Sequence, residues 1–258
     1  MPVPLVLVGL IGLAVGSFLN VVIHRVPGGE SLLRPGSHCP ACGHPIRWRH
    51  NVPVLGWLLL RGRCADCGTR ISVRYPLVEL GTAALFVALT LRLDALDLRS
   101  ALPAYLYFGA IGIALALIDL DCRRLPNAIV LPSYPVLAVL LTASAAVRPD
   151  WWALARAGLG AAALFAFFFA VAYAVPAGMG LGDVKLSGLI GGVLGYLSWS
   201  ALLIGAFTGF LLGALAGVAL MATGRGGRKT ALPFGPFMIT GALAAVFVAD
   251  ALPSLPSI

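Results

Sequence analysis

The length of the uncharged stretches constrains this chain more than any other feature. No Asp, Glu, Lys, Arg or His occurs from Leu5 to Ile23, from Ala157 to Gly182 or from Leu186 to Gly224. About 20 consecutive apolar residues carry a helix across the hydrocarbon of a bilayer, whereas a soluble helix interrupts such a run with a polar face. In lipid, the backbone must satisfy its own hydrogen bonds, so helices are the expected element. A composition that is 60% hydrophobic and 11% charged agrees, and it excludes an ordinary soluble domain. Candidate spans fall near 3–23, 76–93, 100–118, 128–147, 155–175, 186–198, 200–222 and 233–250. The stretch 186–222 is too long for one crossing and is divided near Leu197 to Ser200. The expected fold is all-α and polytopic, with about eight transmembrane helices. Its regions are a first helix (1–23), a loop domain (24–75) and a seven-helix membrane domain (76–258).

The first segment has no Lys or Arg before it and no small-residue cleavage site after it, so it reads as a retained helix rather than a secretory signal. Its first following basic residue is Arg25, and the positive-inside rule then places the N-terminus outside and the loop domain in the cytoplasm. Alternating eight spans puts Arg25, Arg34, Arg47, Arg49, Arg61, Arg63, Arg70, Arg74, Arg123, Arg124, Lys185, Arg225, Arg228 and Lys229 inside. Only Arg92, Arg99, Arg148 and Arg156 fall outside. The net charge of +8 is therefore a cytoplasmic surface facing anionic lipid, and it calls for no nucleic acid.

Residues 24–75 contain Cys39-Pro-Ala-Cys42 and Cys64-Ala-Asp-Cys67. Two CxxC knuckles at this spacing point to a tetrahedral zinc site, each turn aiming two thiolates at one centre, with Gly43 and Gly68 easing the turns. A reducing cytoplasm disfavours the alternative of two disulfides. A loop of this size buries little core, so the metal, Zn2+, is expected to be structural. His38, His44 and His50 lie near enough in sequence to replace a thiol, but four cysteines already complete the shell. Cys122 stands alone.

Acidic residues near hydrocarbon are costly and mark functional sites by default. Asp119 and Asp121 end the third span and Asp183 opens the sixth, so by the topology above both positions reach the cytoplasmic boundary. Two convergent carboxylates sharing a proton activate water for amide hydrolysis. Gly180 and Gly182 would let an extended substrate approach Asp183, and Lys185 lies close to it. The alternatives are a structural helix-end pair salt-bridged to Arg123, Arg124 or Lys185, and a proton- or cation-relay in a coupled transporter. Further glycines, Gly188, Gly192 and the ladder Gly205, Gly209, Gly213 and Gly217, suit close helix packing.

Taken in order, the motifs resemble one family, the type IV prepilin leader peptidases, which are also N-methyltransferases and are membrane aspartic peptidases of the GxGD type. The resemblance rests on the run Val15 to Pro27, the two cysteine pairs, Arg74 to Leu80, Asp119-Leu120-Asp121 with Leu125-Pro126-Asn127, Gly180-Leu181-Gly182-Asp183, and Pro233-Phe234-Gly235-Pro236-Phe237. It implies an enzyme of the bacterial cytoplasmic membrane that cuts the basic leader from type IV prepilins or pseudopilins. It also implies that the same enzyme methylates the new N-terminal amine with S-adenosylmethionine. By motif, the catalytic aspartates are Asp119 and Asp183, with Asp121 in support. Glu79, at the membrane end of the loop domain, is a candidate contact for the substrate amine, beside the plainer reading of an ion pair with Arg74. Asn127 stands where relatives often have Asp, and Gly56 where they usually have Ser. An intramembrane protease of the same type acting on other membrane proteins is the nearest rival, and the four-cysteine loop and the Pro-Phe-Gly-Pro-Phe run argue against it.

Overall fold

The structure, a computed structural model, describes residues 4–175, 179–224 and 232–248. Arg225, Arg228 and Lys229 of the inside charge set lie outside the described residues, as do the extreme ends of the first and last expected spans. No strand occurs among the described residues, and the chain divides into two compact units, Met1–Leu91 and Arg92–Ile258.

In the first unit, helix α1 (Leu5–Arg25) packs along helix α3 (Arg74–Ala95), which runs on past the end of the unit. The axes approach closely because α1 presents glycines. A β-carbon on Gly12 would lie 2.6 Å from Ala83 Cα, and one on Gly16 2.7 Å from Glu79 Cα. Between these helices the chain is irregular except for two short 3-10 turns and the five-residue helix α2 (Leu55–Leu59). The buried Arg25 guanidinium organises the start of this loop, donating to Ser31 O at 3.0 Å and Gly36 O at 3.3 Å.

The second unit contains α4 (Leu102–Cys122), α5 (Asn127–Val147), α6 (Trp151–Ala174), α7 (Leu181–Leu197), α8 (Trp199–Ala222) and α9 (Gly235–Val248). Helix α7 is central, packing on α4, α5, α6, α8 and α9. Its contact with α6 is backbone on backbone, since a β-carbon on Gly191 would sit 2.3 Å from Gly160 O. Gly205 and Gly209 of the expected ladder serve the same end against α9, whereas Gly192 makes only ordinary contacts.

Six of the eight expected segments, α1, α3, α4, α5, α6 and α8, are long and apolar enough to cross a membrane. Helices α7 and α9 are shorter, at 17 and 14 residues. The division expected near Leu197 to Ser200 occurs at Ser198, an extended residue (φ −170°, ψ 164°) whose side chain caps α8 by accepting from Ala201 N at 3.0 Å. Arg156 reaches from α6 to the end of α7 and donates to Gly195 O, Tyr196 O and Leu197 O at 2.6, 2.7 and 2.9 Å.

Candidate active site

Two helix ends of the second unit bring Asp119 and Asp183 to one cavity. Helix α4 ends where Arg123 turns left-handed (φ 53°, ψ 43°) and returns its amide to Asp119 O at 2.8 Å, which leaves Asp119 in the last turn. Helix α7 begins after Gly180, so Asp183 lies in its first turn, where the free amides favour an anion. Its carboxylate accepts from Gly180 N at 3.2 Å, and its own amide donates to Gly180 O at 3.0 Å. Asp119, only 5% exposed, accepts from Gly235 N at 3.0 Å. Among the described residues neither aspartate is salt-bridged, so the reading of a helix-end ion pair is not the arrangement found.

Both carboxylates line a cavity of about 370 Å3, with Gly180 and Gly182 on its wall. Leu125, in the turn between α4 and α5, forms its apolar floor. A β-carbon on Gly182 would lie 3.0 Å from Leu125 Cβ, and one on Gly235 3.2 Å from Leu125 Cδ2. The rim is polar: Arg123, Arg124, Asn127 and Lys185 line it, with Lys185 Nζ donating to Asn127 Oδ1 at 3.0 Å. Lys185 is therefore engaged with Asn127 rather than with Asp183. Asp121 is exposed and outside the cavity lining. Leu125 and the amide of Gly235 are the two contributors that sequence reasoning did not single out. Gly235 had one signal, its place between residues of a proline-flanked run that is otherwise apolar.

The first unit holds the second candidate site. The Sγ atoms of Cys39, Cys42, Cys64 and Cys67 all lie within 4.8 Å of one another, and those of Cys39 and Cys67 are 3.8 Å apart. All four are free thiols. A tetrahedral metal with Zn–S bonds of about 2.3 Å requires sulfur edges of about 3.8 Å, so the set fits such an ion. The knuckles are built alike. Cys39 N donates to His44 O and Gly43 N to Cys39 O; Cys64 N donates to Thr69 O and Gly68 N to Cys64 O, with Gly43 and Gly68 at φ 72° and 71°. The Thr69 hydroxyl, 3.3 Å from Cys67 Sγ, and then the Thr69 amide lower the Cys67 thiol to about 6, which favours the thiolate a metal needs. His38, His44 and His50 do not join the cluster.

Glu79 lies elsewhere in this unit, 8% exposed, its carboxylate accepting from Val54 N at 2.6 Å. Val54 has φ 61° and ψ −52°, and Leu55 N donates back to Pro53 O at 2.6 Å. This is a γ-turn of the strained positive-φ kind on a β-branched residue. At Gly56, a β-carbon would meet His50 O at 2.2 Å, so a serine there would require a shift of backbone.

The family model described as the bacterial peptidase A24 N-terminal domain matches residues 10–93, and that of the type IV leader peptidase family matches residues 106–222. A prepilin leader peptidase/N-methyltransferase of Myxococcus xanthus is 40% identical over 86% of this chain, which spans 64% of that relative's length. Proteins of the same name from Bacillus subtilis and Pseudomonas putida are each 36% identical, over 94% and 93% of this chain and 94% and 89% of their own. No solved structure matches.

Proposed function

The chain belongs to the type IV leader peptidase family, and from that premise we propose that it removes the short basic leader of type IV prepilins or pseudopilins and then N-methylates the exposed N-terminal residue. Asp119 and Asp183 are the catalytic pair in this reading, sharing one proton because like charges at one cavity do not both ionise. The ionised carboxylate takes a proton from water as the water oxygen bonds to the scissile carbonyl carbon. The protonated partner hydrogen-bonds the carbonyl oxygen. When the carbon–nitrogen bond breaks, a proton passes to the leaving amine, and no covalent intermediate forms. Gly180 and Gly182 leave room for an extended peptide, while Lys185 and Asp121 act in support, Lys185 through Asn127.

The observation that carries this reading is that two acids from separate helices line one cavity of about 370 Å3. Purified protein incubated with a prepilin tests it by mass spectrometry. The native protein should yield the shortened, methylated pilin, and Asp119→Asn and Asp183→Asn should leave the leader attached. A shortened pilin from Asp183→Asn would sink the pair.

Methylation is assigned to residues 24–75, the segment that the family associates with it. S-adenosylmethionine supplies the methyl group when bound. In this segment the four cysteines hold a structural Zn2+, whose binding energy becomes folding energy for a loop with little core. The molecule is a multi-pass protein of the bacterial cytoplasmic membrane, with its N-terminus outside and both sites facing the cytoplasm.

A further inference from the structure

The first turn of α9 presents a single amide to the active site. An α-helix begins with four backbone N–H groups that have no partner within it. Here, Gly235 is the first helical residue. Pro236 has no N–H at all. The amides of Phe237 and Met238 both turn back to Phe234 O, at 3.1 Å each. The Gly235 amide turns the other way and donates to Asp119 Oδ2 at 3.0 Å in a buried environment.

The segment carrying that amide is held on two sides. The Phe234 ring lies 5.3 Å from Phe210 and 6.3 Å from Phe168, centroid to centroid. It fits because Gly213 has no side chain, a β-carbon there falling 2.8 Å from Phe234 Cε2. One helical stretch further, Gly241 lies on the backbone of α8, where a β-carbon would meet Gly209 N at 2.5 Å and Gly205 O at 2.7 Å. Gly235 itself admits no substituent, since its β-carbon would sit 2.8 Å from Asp119 Oδ2.

We propose that the Phe234-Gly235-Pro236 turn is a positioning element of the peptidase site, in which the Gly235 amide fixes one oxygen of Asp119 and thereby leaves the other for the chemistry. Asp183 is arranged the same way, with Oδ2 on the Gly180 amide. Each carboxylate thus enters the cavity with one oxygen tied to backbone and one open. The aromatic contacts act through Gly235 and touch no substrate. This inference rests on Asp119 being half of the catalytic pair.

Gly235→Ala is the direct test, because the added carbon must displace the carboxylate or the turn. Leader cleavage should lose at least about tenfold in kcat, as misplacing a catalytic group by a fraction of an ångström to an ångström does. KM for the prepilin should stay within about twofold, since substrate binding is untouched. An unfolding midpoint in detergent close to that of the native protein reports that the second unit is folded, and methylation of a pre-cleaved pilin, assigned to residues 24–75, should be unchanged. Adding Leu125→Ala should not restore kcat; restoration would mean that crowding against Leu125, not displacement from Asp119, was the fault, and would overturn the proposal. A normal kcat, or a raised KM with kcat intact, would overturn it as well. If Gly235→Ala also loses methylation, Phe234→Leu decides, because it leaves the glycine in place. Reduced kcat with methylation intact supports the positioning role, and unchanged kcat rejects it. Cleavage by Asp119→Asn would reject the catalytic pair itself. An inactive Asp119→Asn beside a fully active Gly235→Ala would reject only the role of the turn.

Discussion

Glu79 illustrates how a neighbour decides what one side chain does. A buried carboxylate at the membrane end of a loop domain invites a role in binding an amine, yet it accepts from the amide of Val54, in a turn that a β-branched residue adopts only at a cost, and also bonds to the Ser17 side chain. The carboxylate is the clamp on that turn. Glu79→Ala should destabilise the first unit by about 2 kcal/mol, the scale of losing hydrogen bonds to a charged acceptor. Glu79→Gln keeps an acceptor oxygen and should retain both stability and methylation. Thermal unfolding and a methylation assay on the two variants check this, and a folded Gln variant that no longer methylates would put the charge to use on the substrate amine instead. Sequence alone could single out Glu79, Asp119 and Asp183, because a charge in an apolar run is conspicuous. It could not supply their partners, because Val54 and Gly235 contribute only backbone N–H, which every residue but proline possesses.

At the scale of elements, Arg156 is the instructive case. Charge counting left it among the four cations outside, and its guanidinium spans the last three carbonyls of α7. A helix end leaves its final carbonyls unpaired, and a cation there also meets the negative end of the helix dipole. Arg156→Met preserves the length of the side chain and removes every donor. It should lower stability by about 2 kcal/mol, the scale of a hydrogen bond to a charged group, as read by the unfolding midpoint in detergent. Because α7 carries Asp183 at its other end, kcat should fall alongside. The helices themselves were legible from uncharged length, and so was the break between α7 and α8, because a single crossing cannot hold that many residues. The order of packing was not legible. Gly191, whose missing side chain lets α6 and α7 touch, looks in the sequence like any of its neighbouring glycines.

At the scale of the whole molecule, the basic residues are unevenly placed. Basic residues crowd the segments between α1 and α3 and between α4 and α5, and few remain in the connections expected on the opposite side. In intact spheroplasts, a membrane-impermeant maleimide should therefore leave the native cysteines unlabelled, whereas a Pro149→Cys variant, in the connection between α5 and α6, should label at once. Labelling of the native thiols without permeabilisation would reverse the orientation. The metal has its own signature. Native protein should contain one zinc per chain, and Cys39→Ser with Cys64→Ser should contain none, with cleavage by the second unit retained. The two knuckles make the matter one of polymer topology. Each supplies only two sulfurs, so neither half would hold an ion alone, and a bound ion would be a crosslink that closes residues 43–63 into a ring. Closing a ring removes disorder from the open chain. Stripping the metal should accordingly raise amide hydrogen exchange most in the arc containing Trp48 and α2, which has no ligand of its own, while the helices flanking it stay protected.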